Sequence, residues 1–190
     1  MWTLVVLGAC GEPVAGTFAI DVVEFLPGPG AGFGQDRMPD VVLGPPIGAG
    51  PEGGSLDVVS LGTGGSIVLE LTPFVDGPGA DLVVFENAFP GWTELGRVEV
   101  SEDGEVWQGW TCMVATLEDC AGVSAVLTNP DNEISPFDPE VSGGDGFDLA
   151  DIGVGVARFV RVVDLGVNDA AAPGAGFDLD AIAALHPAPP

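Results

Sequence analysis

The sequence predicts an all-β chain folded as a sandwich, and three observations carry that prediction. Its apolar stretches are short, rich in Val, Ile and Leu and closed by turn residues, which is the pattern of strands. Thirty glycines and 17 prolines in 190 residues punctuate the chain too often for long helices. No stretch keeps an apolar helical period beyond two or three turns. Apolar residues make up 46% and charged residues 17%, and a chain of this length can bury roughly 70% of the surface its unfolded form exposes. A full core is therefore available to a single domain.

In chain order, residues 1–10 read as a leader and 11–190 as one sandwich domain with long ordered loops. Residues 11–54 alternate short apolar pieces (Ala19 to Phe25, Val41 to Leu43) with glycine and proline clusters, giving strands and ordered loops. The run Gly28–Gly34 is glycine-rich, yet neither a helix pattern nor an acidic ribose partner follows it, so it is not a nucleotide loop. The strand pattern then strengthens through Leu56 to Leu61, Ser66 to Leu71, Asp81 to Glu86 and Arg97 to Ser101. Asp103-Gly104 stands between two alternating runs, Arg97 to Ser101 and Glu105 to Trp107, and predicts a hairpin. Thr128 to Gly146 is polar and aperiodic and reads as a long surface loop of the kind that often carries function. Ala157 to Asp164 and Phe177 to Leu185 are the last strands.

Charge excludes several function classes. Four arginines and no lysine face 29 Asp and Glu, for a net charge of −25. Nucleic acid and anionic membrane surfaces both need clustered cations and are repelled. Without lysine there is no Schiff base and no phosphate-loop lysine. The one histidine, His186, lies in a proline-rich tail, a poor setting for a preorganised general base. Metal cations are the natural counter-charge. A solvated acidic surface is the alternative for most of these carboxylates.

Met1 to Cys10 is a short apolar run ending in Leu7-Gly8-Ala9-Cys10, which resembles the lipobox of bacterial lipoproteins. The resemblance implies cleavage before Cys10, a lipid on its sulfur, and export to the cell envelope, with Gly11 resembling the pattern sent to an outer membrane. As residues alone, the same run also fits a buried first strand. Cys112 and Cys120 read as a loop disulfide in an oxidising compartment, with two free thiols as the alternative.

The hairpin Val98 to Trp107, with Ser101-Glu-Asp-Gly104, and the later strand Ala157-Arg-Phe-Val-Arg-Val162 together resemble the galactose-binding-like jelly roll of discoidin and coagulation-factor type C domains. The blocks Ser60 to Leu69, Val75 to Asn87 and Gly176 to Ile182 resemble a group of exported bacterial surface proteins. These resemblances imply a jelly-roll sandwich, a structural calcium, and loops that bind glycans, lipids or proteins.

Three acidic clusters are the candidate metal sites: Asp76 and Asp81 with Glu86 and Asn87, then Asp145 and Asp148 in a glycine-rich loop, then Asp178 and Asp180. Calcium takes six to eight oxygen ligands in flexible geometry, and glycine-rich turns let carbonyls converge. Turn capping is the competing use of such residues. Trp92 and Trp110 are candidate sugar-stacking rings, with core positions as the alternative. The expected function is a calcium-stabilised, non-enzymatic surface module recognising a glycan or a surface protein. A hydrolase using paired carboxylates and a structural envelope protein are the rival readings.

Overall fold

Residues 66–71 alternate sides as a strand must, and Ile67, Leu69 and Leu71 all point into one core. The computed structural model describes residues 16–88, 93–168 and 176–189; Cys10 and Trp92 lie outside these. The strands are β1 (Thr17–Phe18), β2 (Asp21–Leu26), β3 (Val59–Ser60), β4 (Ser66–Val75), β5 (Leu82–Glu86), β6 (Glu94–Ser101), β7 (Gln108–Gly109), β8 (Asp145–Phe147), β9 (Val156–Asn168) and β10 (Asp178–Ala184). They form two antiparallel sheets. One has the order β1-β10-β5-β8 with β3 also on β10, and the other has the order β2-β4-β9-β6-β7. No α-helix occurs among the described residues.

The sheets share one apolar core. Leu82, Val84, Leu179 and Ile182 from the first meet Leu69, Val98, Val160 and Val162 from the second, all fully buried. Each such side chain contributes about 1.5–3 kcal/mol relative to exposure. β5 is buried on both faces, which is why its sequence is a continuous apolar run rather than an alternating one. Val83 and Phe85 on its other face pack with Val126, Ala181 and Ala183 beneath Phe18 and Phe137, so the long loop after residue 124 roofs the outer side of the first sheet.

Two expected strands are shorter or different. Val41 to Leu43 falls on a 3-10 turn, Asp40–Val42, that buries Val41 and Val42; between Pro39 and Gly44 the segment is too short to join a ladder. Leu56 to Leu61 pairs only over Val59–Ser60. Arg37 takes the carbonyls of Leu56 and Val58 at 2.6 and 3.2 Å and the Asp57 carboxylate at 2.7 Å, so these backbone groups go to a side chain and Leu56 stays 75% exposed. The turn at Asp103-Gly104 forms, with Asp103 Oδ1 accepting from the amides of Glu105 and Val106 and Gly104 at φ +79°, but the returning arm pairs with β6 at Gln108–Gly109 rather than over Glu105 to Trp107. Cys112 and Cys120 form a disulfide with their Cα atoms 4.4 Å apart.

Candidate functional site

The turn joining β4 to β5, Asp76-Gly-Pro-Gly-Ala-Asp81, positions the first group. Gly77 is required here because a Cβ would sit 2.4 Å from the His186 ring, and Gly79 has φ +80°. Asp81 is wholly buried. Its Oδ1 accepts the Gly77 amide at 2.7 Å and its Oδ2 accepts the Leu149 amide at 2.8 Å. Burial raises its pKa, while those two amides and the nearby His186, with Nε2 3.7 Å from Oδ1, pull it back. Asp148 caps the 3-10 turn Leu149–Ile152 through the Ala150 amide at 2.8 Å. The result is that Asp76, Asp81 and Asp148 each offer one carboxylate oxygen, all within 4.8 Å of one another. An oxygen-only set at this spacing fits a hard divalent cation such as calcium.

A second acidic group bridges the two sheets. Glu86 ends β5 and Asp178 begins β10 in the first sheet, and Glu94 begins β6 in the second. Glu86 and Glu94 are each only 2% exposed. Burial, then the charges of Asp178 and Glu94, push Glu86 well above the ordinary carboxyl range. Burial and Asp178 lift Glu94 to about 7, with the Gly176 amide opposing. Asp178 is raised to about 6 by burial, against a hydrogen bond from Ser60. Asp164 lies beside them but is fully engaged, accepting from the amides of Gly64, Gly166 and Phe177 at 2.7–2.8 Å.

The eight residues expected as metal ligands thus divide by neighbourhood. Asp76, Asp81 and Asp148 come together, and Glu86 and Asp178 come together elsewhere. The other three brace loops. Asp145 accepts the successive amides of Gly122, Val123 and Ser124 at 2.8–3.1 Å, Asn87 Oδ1 accepts the Ser55 amide, and both oxygens of Asp180 face the Ile47 amide at 3.0–3.1 Å. Asp178 and Asp180 serve different neighbours because the β10 register shifts between Leu179 and Ala181.

The expectation that Trp110 is a sugar platform is corrected by its placement. It is 3% exposed, its ring packs 5.0 Å from that of Phe147, and its Nε1 donates to the Asp148 carbonyl at 3.2 Å. An indole with its N–H satisfied inside the core has no face left for a ligand.

Beside the Asp76–Asp81 turn lies an open groove of about 680 Å³. Pro78, Gly79 and Ala80 line it from the turn, Ser135 and Phe137 to Glu140 from the long loop, and Leu185 with His186 line it as well. Phe137 is its aromatic, half-buried and 4.9 Å from Phe18. Sequence reasoning missed Glu94, Phe137 and His186. The chain tail reaches the turn because the Val75 amide donates to the His186 carbonyl and the Leu185 amide to the Asp81 carbonyl, pairings that no local pattern announces.

Fold and site together define an acidic, disulfide-bonded, two-sheet β protein with a carboxylate cluster at the edge of a loop-built groove. No protein-family model matches the chain, and neither a curated protein nor a solved structure does. Among the described residues no helix is long and apolar enough to cross a membrane.

Proposed function

We propose that this chain is a calcium-stabilised, non-enzymatic binding module of the exported cell surface, with a galactose-binding-like jelly-roll sandwich, recognising a glycan or a surface protein in the groove beside the Asp76–Asp81 turn. The observation that carries the reading is the convergence of Asp76, Asp81 and Asp148 within 4.8 Å at the turn that lines that groove. An ion there ties the turn to the Asp148 loop and so fixes the groove, which is how a structural cation serves recognition. Phe137 supplies a ring face for a sugar or an apolar side chain, and Asp138 and Glu140 supply acceptors for hydroxyls. The Cys112–Cys120 disulfide supports an oxidising compartment, and a lipid on Cys10 would provide the membrane attachment.

The test is a calcium titration of the chelator-stripped chain followed by melting, with terbium as a luminescent substitute excited through Trp110, which touches Asp148. Calcium raises the melting temperature and terbium emission appears; Asp76→Asn with Asp148→Asn abolishes the emission and shrinks the rise. A glycan array then reads the groove, where Phe137→Ala removes the retained ligand. A chain whose melting ignores calcium and chelator alike overturns the metal. Retention unchanged in Phe137→Ala overturns the groove.

A further inference from the structure

Three strand ends, those of β5, β6 and β10, bring carboxyls together with no arginine beside them. All four arginines are engaged elsewhere: Arg37 with Asp57, Arg158 with Glu70, and Arg97 and Arg161 with Glu99. The sequence has no lysine. Within the group, each acid has its carboxyl held by the protein: Glu86 Oε1 faces the Asp178 amide at 3.4 Å, Glu94 takes the Gly176 amide, and Asp178 takes Ser60. Glu86 Oε2 and Glu94 Oε1, by contrast, are buried without a hydrogen-bond partner. A buried, unsatisfied carboxyl oxygen costs a few kcal/mol, and two in one acidic group need an explanation. A carboxylate with one oxygen anchored and one left free is the arrangement found around metal ions, where the anchoring bond orients the ligand.

We propose that Glu86, Glu94 and Asp178 form a second cation site, for a hard divalent ion of the calcium type, which links the two sheets at the ends of β5, β6 and β10. Glu86 and Asp178 belong to the first sheet and Glu94 to the second, so an ion held by all three fastens one sheet to the other. Asp145 and Asp164, already saturated by backbone amides, add negative potential without serving as ligands. The carboxyl oxygens of these three acids do not all fall within 4.8 Å of one another as those of Asp76, Asp81 and Asp148 do. Uptake therefore draws the two glutamates together by rotation about their own side-chain bonds, which is why the ion must be one that tolerates irregular geometry, calcium rather than magnesium.

The site is independent of the one at Asp76. Isothermal titration of the full chelator-stripped chain with calcium is expected to give two ions per chain. Glu94→Gln, which preserves shape, loses one and keeps the terbium signal excited through Trp110; Asp76→Asn with Asp148→Asn loses the other together with that signal. Asp178→Asn serves as a second variant should Glu94→Gln fail to fold. A wild-type chain that takes up only the ion lost in Asp76→Asn with Asp148→Asn, or a Glu94→Gln chain that retains both, overturns the second site and leaves protons as the only balance for these acids. Loss of an ion in Glu94→Gln alone, with Asp76→Asn and Asp148→Asn silent, supports the second site and sinks the first.

Discussion

The buried Oδ2 of Asp81 accepts the Leu149 backbone amide at 2.8 Å, and with the Asp81 amide donating to the Phe147 carbonyl, also at 2.8 Å, it ties the β4–β5 turn to the segment that carries Asp148. Asp81 therefore has a structural duty besides any metal. Asp81→Ala frees two amides, those of Gly77 and Leu149, in surroundings with little water. The expected cost is about 2–4 kcal/mol, from one or two unsatisfied donors to a charged acceptor, read as a lower urea midpoint both with chelator and with calcium.

Asp76 behaves differently because it is exposed. Asp76→Asn should leave chelator-treated stability within about 0.5 kcal/mol of the parent, as surface changes do. The calcium-induced rise in melting temperature should shrink. Comparing the two variants by scanning calorimetry separates a fold brace from a metal ligand; equal loss in chelator for both would refute the distinction.

Asp145 illustrates why an acidic cluster in the sequence is not yet a metal site. Its two oxygens gather three successive amides from residues 122–124, a geometry that only long-range packing reveals. Asp145→Ala is expected to destabilise the fold by about 3 kcal/mol and to expose the 122–124 amides to hydrogen exchange, while calcium stoichiometry stays unchanged.

These cases mark how far the sequence could be read. Strands such as Ser66–Val75 and Leu82–Glu86 were legible because side-chain alternation and burial act over a few residues. Asp76, Asp81 and Asp148 were legible as candidates because glycine-rich acidic turns are local too. Glu94 was not, since one glutamate at the start of an ordinary strand looks like any other until β6 is laid near β5 and β10. Trp110 misled for the converse reason: its aromatic chemistry suits a ligand equally well, and only the partner carbonyl of Asp148 shows where its N–H is spent.

The Cys112–Cys120 loop makes few demands on the core. Met113, Val114 and Leu117 within it are exposed. Closing a loop of this length restrains the unfolded chain by roughly 2–3 kcal/mol. Cys112→Ser with Cys120→Ser should therefore lower the melting temperature by about 3 °C per kcal/mol lost, with calcium and groove ligand binding intact. Loss of ligand binding would place the loop in the recognition surface instead.

The buried acids give stability a pH dependence whose sign follows from the direction of their shifts. Glu94 and Asp180 are raised to about 7 and Asp178 to about 6, from ordinary values of 4.5 and 3.8. For all three, burial is the leading cause; Asp178 also acts on Glu94, Asp164 on Asp178 and Asp57 on Asp180. A folded state with raised carboxyl pKa values binds more protons than the unfolded chain, so stability is complete below about pH 4 for these groups and is lost as pH rises through 6 to 7. In chelator, urea midpoints measured from pH 5 to pH 8 should fall steadily. Glu94→Gln cannot ionise and should flatten part of that fall, leaving the variant more stable than the parent at pH 8. Calcium at saturating concentration should flatten it as well, because an ion replaces the protons as the counter-charge and binds the ionised form. Midpoints that climb with pH in chelator would mean that these carboxyls are ionised and well solvated in the folded chain, and the buried acidic bridge between the two sheets would not exist as described.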